Sequence, residues 1–179
     1  MFIFVAVALF AISKVCAIAQ QSERAAGGYL GLAVGDVVTN VGIGGKFQYF
    51  ATDRIRMEGS FNYFVPRTYT YTTRHLNIFT GWYTQTREAS LSMWDLSVNG
   101  HYLFPISDEY SVYGLFGLSV LGATSTIADI KTTDTGVGIN LGSGADFIIN
   151  EQVTLNGELM YRIGEWSRLM VGVVVVFKF

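Results

Sequence analysis

The sequence predicts an all-β chain folded as an eight-stranded antiparallel up-and-down transmembrane β-barrel, and three observations carry that prediction. Hydrophobic residues make up 50 % of the 179 and charged residues only 15 %, where water-soluble domains carry nearer a quarter charged. Beyond Gln20 no apolar run reaches the roughly 18 to 20 residues that a membrane-crossing helix needs, which leaves a closed barrel as the way to satisfy every backbone group in hydrocarbon. The remaining chain divides into segments that alternate apolar with polar, glycine or charged residues, the period of strands with two different faces. Twenty glycines, two prolines and 15 % aromatics suit a tight barrel with small inward residues and interfacial aromatic belts. A net charge of −2 offers no basic field for nucleic acid.

The first residues, MFIFVAVALFAISKVCAIAQQ, hold an apolar stretch from Phe2 to Ile12 that is too short to span a bilayer. Ala17-Ile18-Ala19 follows as a small-x-small cleavage pattern. Residues 1–19 are therefore expected to be a secretory signal peptide, 20–27 a short N-terminal segment and 28–179 the barrel. No Lys or Arg precedes the apolar stretch, which departs from the usual leader; a buried amphipathic helix is the bland alternative. Ser13-Lys14-Val15 lacks the small residue a lipoprotein anchor requires just before Cys16. Cleavage after Ala19 removes the single cysteine, which suits export through an oxidising compartment.

Strand by strand, one parity is apolar. The first places Leu30, Leu32 and Val34 outward against Tyr29, Gly31, Ala33 and Gly35. The second sets Val41, Ile43, Phe47 and Tyr49 against Gly42, Gly44, Lys46 and Gln48, and ATDR returns the chain. The third has the cleanest alternation, Ile55, Met57, Phe61, Tyr63 and Val65 against Arg56, Glu58, Ser60 and Asn62. The fourth opposes Trp94, Leu96, Val98, Tyr102 and Phe104 to Asp95, Ser97, Asn99 and His101, and PISDE is a turn by its chemistry. In the fifth, Phe116, Leu118 and Val120 point out and Tyr113, Gly117 and Ser119 in; a polar loop is expected near STIADIKTTDT. The sixth sets Val137, Ile139, Leu141 and Phe147 against Gly138, Asn140, Gly144 and Asp146, and NEQ turns the chain. The seventh opposes Val153, Leu155, Leu159 and Tyr161 to Thr154, Asn156, Glu158 and Arg162. After GEWSR, the eighth opposes Leu169, Val171, Val173, Val175, Phe177 and Phe179 to Met170, Gly172, Val174, Val176 and Lys178. Asn99-Gly100 and Asn156-Gly157 would ordinarily mark hairpins, but the alternation runs through both without a change of phase, so they read as strand interior.

Short breaks after strands two, four and six, against a long interval from about Pro66 to Ser90, match the outer-membrane arrangement of short periplasmic turns and longer outer loops, with both termini periplasmic. On that orientation Tyr49, Tyr102, Phe104, Phe147, Phe177 and Phe179 form one aromatic belt, and Tyr63, Trp94 and Tyr161 the other.

Every charge placed within a strand falls opposite the apolar face: Lys46, Arg56, Arg162 and Lys178 against Glu58, Asp95, Asp146 and Glu158. A one-residue slip would turn charges to lipid at about 2–4 kcal/mol per Arg or Lys near the midplane. The balanced set implies a packed polar lumen in which Lys46, Arg56, Glu58, Asp95, His101, Asp146, Glu158 and Arg162 form a network. Phe50, Phe64, Leu103 and Met160 also point inward and help to plug it, which disfavours a wide pore; a narrow channel is the competing reading.

The stretches WDLSVNGHYLFP, YSVYGLFGLSV, INLGSGADFIINEQVTLNGELMYRIG and VVFKF together resemble the small outer-membrane β-barrel family that includes OmpX, Ail and the OmpA transmembrane domain. The resemblance spans nearly the whole mature chain and lies in pattern rather than in an invariant motif. It implies the outer membrane of a Gram-negative bacterium and contact with outer-membrane lipid and lipopolysaccharide; since the last strand closes the sequence, no peptidoglycan-binding domain is expected. It also implies that Val175, Phe177 and Phe179, with Val173, are the signal read by the barrel-assembly machinery.

Chemistry is sparse. NVGIGGKF misses the phosphate-loop pattern at Asn40 and Phe47. Two histidines and no mature cysteine leave no zinc or iron constellation, so no metal or cofactor is expected. His101 with Glu58, Asp95 or Glu158, and Ser97 inward on the same strand, could form a lipid A-modifying site; the bland reading, a lumen histidine satisfied by a carboxylate, is preferred and no catalytic residue is assigned. The richest stretch is PRTYTYTTRHLNIFTGWYTQTRE. Its plain reading is that strands three and four continue beyond the membrane, held by Thr and Tyr cross-strand pairs. Its sharper reading is a contact surface for a host protein, glycan or lipopolysaccharide through Tyr69, Tyr71, Trp82, Tyr83 and Arg74.

Overall fold

Alternation becomes geometry in eight strands: β1 (Arg24–Gly35), β2 (Thr39–Thr52), β3 (Ile55–Asn77), β4 (Gly81–Pro105), β5 (Tyr110–Ile127), β6 (Ile130–Ile148), β7 (Val153–Gly164) and β8 (Arg168–Lys178). The computed structural model describes residues 23–35, 39–77, 81–127 and 130–179; the expected signal peptide at 1–19, with Cys16, lies outside the described residues. Each strand pairs with its chain neighbours, and β1 pairs antiparallel with β8 to close the barrel. Phe179 and Arg24 exchange backbone hydrogen bonds across that seam. Among the described residues no helix is long and apolar enough to cross a membrane.

The two faces separate as the period of two requires. Outward residues such as Leu30, Ile43, Phe61, Leu96, Phe116, Leu141, Leu159 and Val173 are bare, while Arg56, Glu58, Asp95, Asn140 and Arg162 are almost wholly buried. Polar inside and apolar outside is the inverse of a water-soluble barrel. Asn99-Gly100 and Asn156-Gly157 sit inside β4 and β7. The hairpin turns that do occur are local: the Thr52 hydroxyl accepts the Arg54 and Ile55 amides at 3.3 and 3.0 Å, and Asn150 Oδ1 accepts those of Gln152 and Val153 at 2.9 and 2.8 Å.

Two expectations change and one holds. β1 begins at Arg24 rather than Gly28, because its ladder to β8 continues to Ala25 opposite Lys178. The plain reading of the interval from Pro66 to Ser90 holds: β3 continues to Asn77 and β4 starts at Gly81, 23 and 25 residues long, and they stay paired from Arg67 opposite Leu91 to Asn77 opposite Gly81. The ladder slips between Phe64 and Arg67, where Pro66 has no amide to give. Most of STIADIKTTDT is strand as well, β5 and β6 pairing up to Ile127 opposite Ile130. Runs of Thr supply the β-branched side chains that favour this.

Glycine shapes both surfaces. Inside, a Cβ at Gly172 would strike the Tyr29 ring and one at Gly144 the Tyr113 ring, so bare backbone makes room for two lumenal tyrosines. Outside, Gly28, Gly45, Gly59, Gly100, Gly114, Ala145 and Gly157 lie in series, each opposite its neighbour in the ladder or two residues along from it. That step holds one height around tilted strands, and Val175, opposite Gly28, closes the circle. Leu30, Ile43, Phe61 and Phe116 stand on one side of this waist, and Phe47, Tyr102 and Phe147 on the other.

Candidate functional site

Strand tilt brings together inward residues that are far apart in sequence. At mid-lumen the Lys46 ammonium from β2 donates to Glu58 Oε1 of β3 at 2.8 Å and to both Glu158 oxygens of β7 at 2.7 and 2.9 Å. Gln48 donates to the other Glu58 oxygen at 2.9 Å, and the Tyr113 hydroxyl to Glu158 Oε2 at 3.2 Å. Toward the rim that carries the termini, Arg56 Nη1 pairs with Asp146 Oδ2 at 2.7 Å, while Asn156 also donates to Asp146. Arg56 Nε and Nη2 lie 3.1 and 2.9 Å from His101 Nδ1. As guanidinium nitrogens only donate, Nδ1 accepts and the ring proton sits on Nε2, which points to Glu58 Oε1 at 3.9 Å. His101 stacks on Tyr113 with centroids 4.7 Å apart, and the Arg56 guanidinium lies 4.6 Å from the same ring. Salt bridges this deep survive because further hydrogen bonds satisfy the remaining lone pairs.

Ligand atoms of Glu58, His101 and Glu158 lie within 4.8 Å of one another, a spacing that could hold a metal ion. The Lys46 ammonium stands between the two carboxylates and supplies the positive charge there. Sequence parity places all three in the lumen, and the stagger of β3, β4 and β7 brings them to one point. The Ser97–His101 pairing weighed from sequence does not form: the Ser97 hydroxyl donates to Asp95 at 2.6 Å, and His101 Nδ1 is engaged by Arg56.

Toward the opposite end, Arg162 Nη2 meets Asp95 Oδ2, and Asn140 links Ser119 to Asn99 through bonds of 2.9 Å each. Arg168, assigned from sequence to the turn GEWSR, is instead the first residue of β8 and is buried in the lumen. Its even number, shared with Met170 and Gly172, was the available signal. Lys178 keeps its inward face at the rim, over the Phe50 ring, and pairs there with Glu23 at 3.2 Å. Among the described residues the buried cations are thus Lys46, Arg56, Arg162 and Arg168. Phe64, Leu103, Met160, Met93, Leu115 and Met170 form an apolar cluster in the same lumen, with Phe50 against it. A cavity of about 760 Å³ opens at the terminal rim, floored by Arg56, Gln48 and Asp146.

The β3–β4 hairpin is the other candidate surface. Its register puts positions 69, 71 and 83 on one face, and Arg74 and Trp82 on the other with Thr70, Thr72, Thr84 and Thr86. Trp82 is 71 % exposed, and the Thr72 and Thr86 hydroxyls lie 3.5 Å apart. The five proposed contact residues therefore divide between two faces. Phe79 lies outside the described residues. Val175, Phe177 and Phe179 face outward along β8.

Residues 2–172 match the family described as outer membrane protein beta-barrel domain. Among solved structures, the N-terminal β-barrel domain of OprF from Pseudomonas aeruginosa is similar at 18 % identity and a TM-score of 0.61, over 89 % of this chain and 98 % of that one. Neisserial surface protein A is similar at 11 % identity and 0.63, over 88 % and 97 %. Ail of Yersinia pestis, solved in complex with the heparin analogue sucrose octasulfate, is similar at 15 % identity and 0.56, over 88 % and 97 %. No curated protein matches the sequence.

Proposed function

For a chain that belongs to the outer membrane protein beta-barrel domain family, and so to the outer membrane, we propose a non-enzymatic role in surface interaction and envelope structure, with the barrel as anchor and the β3–β4 hairpin as the working surface. The hairpin carries this reading. Its strands pair with each other as far as Asn77 opposite Gly81, whereas β2 leaves β3 at Phe64 and β5 reaches β4 only from Ala89. At about 3.3 Å per residue the two strands project roughly 30 Å, with both edges open among the described residues, a template for added strands or side-chain contact. In this reading both termini face the periplasm of a Gram-negative cell, the hairpin faces outward among lipopolysaccharide, and Val175, Phe177 and Phe179 are what the barrel-assembly machinery reads. The filled lumen supports an anchor over a channel, and the engagement of Ser97 and His101 by other partners supports the absence of chemistry.

Deleting Thr68 to Arg87 and closing the strands with a short turn is the test. The barrel should still fold, seen as heat-modifiable gel migration in detergent, while binding of expressing cells to host cells or immobilised sulfated glycan is lost. Unchanged adhesion removes the hairpin from the function; ion conductance in planar bilayers would favour the channel.

A further inference from the structure

Like charges directly opposite one another on paired strands repel and need a reason to persist. Arg162 of β7 and Arg168 of β8 are such a pair, both facing the lumen, 2 % and 9 % exposed. Asp95 is the one carboxylate among the described residues that pairs with either, through Arg162 Nη2, and it also accepts from Ser97 and from Asn62 at 3.4 Å. Arg162 Nε and Nη1 donate to nothing among the described residues. Arg168 reaches the Met93 sulfur at 3.1 Å and the Trp166 carbonyl at 3.4 Å, poor partners for a guanidinium. Glu165 in the adjoining turn is exposed and lies over Gly136 without pairing to either arginine. Opposite Arg168 on β1 stands Gly35, which puts no side chain into that space.

Buried charged donors without acceptors are costly, and here they converge. We propose that Arg162 and Arg168 form a binding site for a small oxyanion of the phosphate or sulfate class, entering from the hairpin end of the lumen. Two guanidinium forks present more donors than one carboxylate can accept, and they match a group with several acceptor oxygens. Asp95 is then the intramolecular competitor that occupies part of the site.

The test is thermal unfolding of the full chain, folded in detergent, titrated with sodium phosphate or sodium sulfate against sodium chloride at equal ionic strength. Phosphate and sulfate should raise Tm saturably beyond chloride, as a ligand of the native state must. Arg168→Gln, with folding verified by gel migration, should need about tenfold more anion or worse, and Arg168→Lys, which keeps the charge without the fork, should fall between. Asp95→Asn should tighten the response, which a purely structural role would not do. Deleting Thr68 to Arg87 should leave it intact, so this proposal and the hairpin's role fail separately. An equal rise in chloride, or an unchanged response in Arg168→Gln, overturns the site; an Arg168-dependent rise with lipopolysaccharide alone overturns its assignment to a free anion.

Discussion

The middle of the lumen and its hairpin end use the same residue types and arrive at opposite states. From the middle toward the terminal rim, Lys46 and Arg56 meet three carboxylates, Glu58, Glu158 and Asp146, and both cations make several short hydrogen bonds. At the hairpin end, Asp95 pairs with Arg162, and Arg168 has no carboxylate partner among the described residues. Among the described residues four buried cations and four buried carboxylates balance, yet negative charge is in excess at the middle and positive charge at one end. Neutrality of a buried set therefore does not locate where its demands are met. The middle is built to hold the wall together, and the end is left with capacity to bind.

Removing one cation from each region sharpens the contrast. Lys46→Met leaves Glu58 and Glu158 facing each other with no cation between them, and should cost about 3–5 kcal/mol of unfolding free energy, measured by urea titration in lipid vesicles. Adding Glu158→Gln to that variant should return part of the loss, because the repulsion then disappears. Arg168→Gln removes the same formal charge but also relieves a like-charge contact with Arg162, so without added anion its cost should stay within about 1 kcal/mol. A loss equal to that of Lys46→Met would erase the distinction between the two regions. Smallest of all, Thr72→Ala on the exposed hairpin breaks one long hydroxyl contact and should change stability by at most about 0.5 kcal/mol.

Parity alone located much of the lumen, because a wall with hydrocarbon on one side allows one register per strand. Arg56, Glu58, Asp95 and Arg162 could be placed without coordinates for that reason. Parity is harder to apply at strand ends, where turn chemistry and strand chemistry overlap: Arg168 closes the turn-like GEWSR yet opens β8 and faces the lumen. The extension of β3 and β4 is legible for a different reason, while that of β5 and β6 into STIADIKTTDT is not. Membrane thickness limits a spanning segment, but strands beyond the lipid need only partners, and the Thr-Tyr alternation from Thr68 to Thr73 provides β-formers without an apolar face. The contacts from Lys46 to Glu158, separated by 112 positions, were not legible at all, since they depend on how far each strand is staggered around the cylinder.

The waist of outward glycines has a consequence for how the barrel comes apart. Where Gly28, Gly59, Gly114 and Gly157 carry nothing between the backbone and its surroundings, acyl chains press directly on the hydrogen-bond ladder, and no water is at hand to trade for a broken bond. Amide protons at that depth can exchange with deuterium only when the cylinder itself opens. Their exchange times are thus a clock for the lifetime of the intact wall.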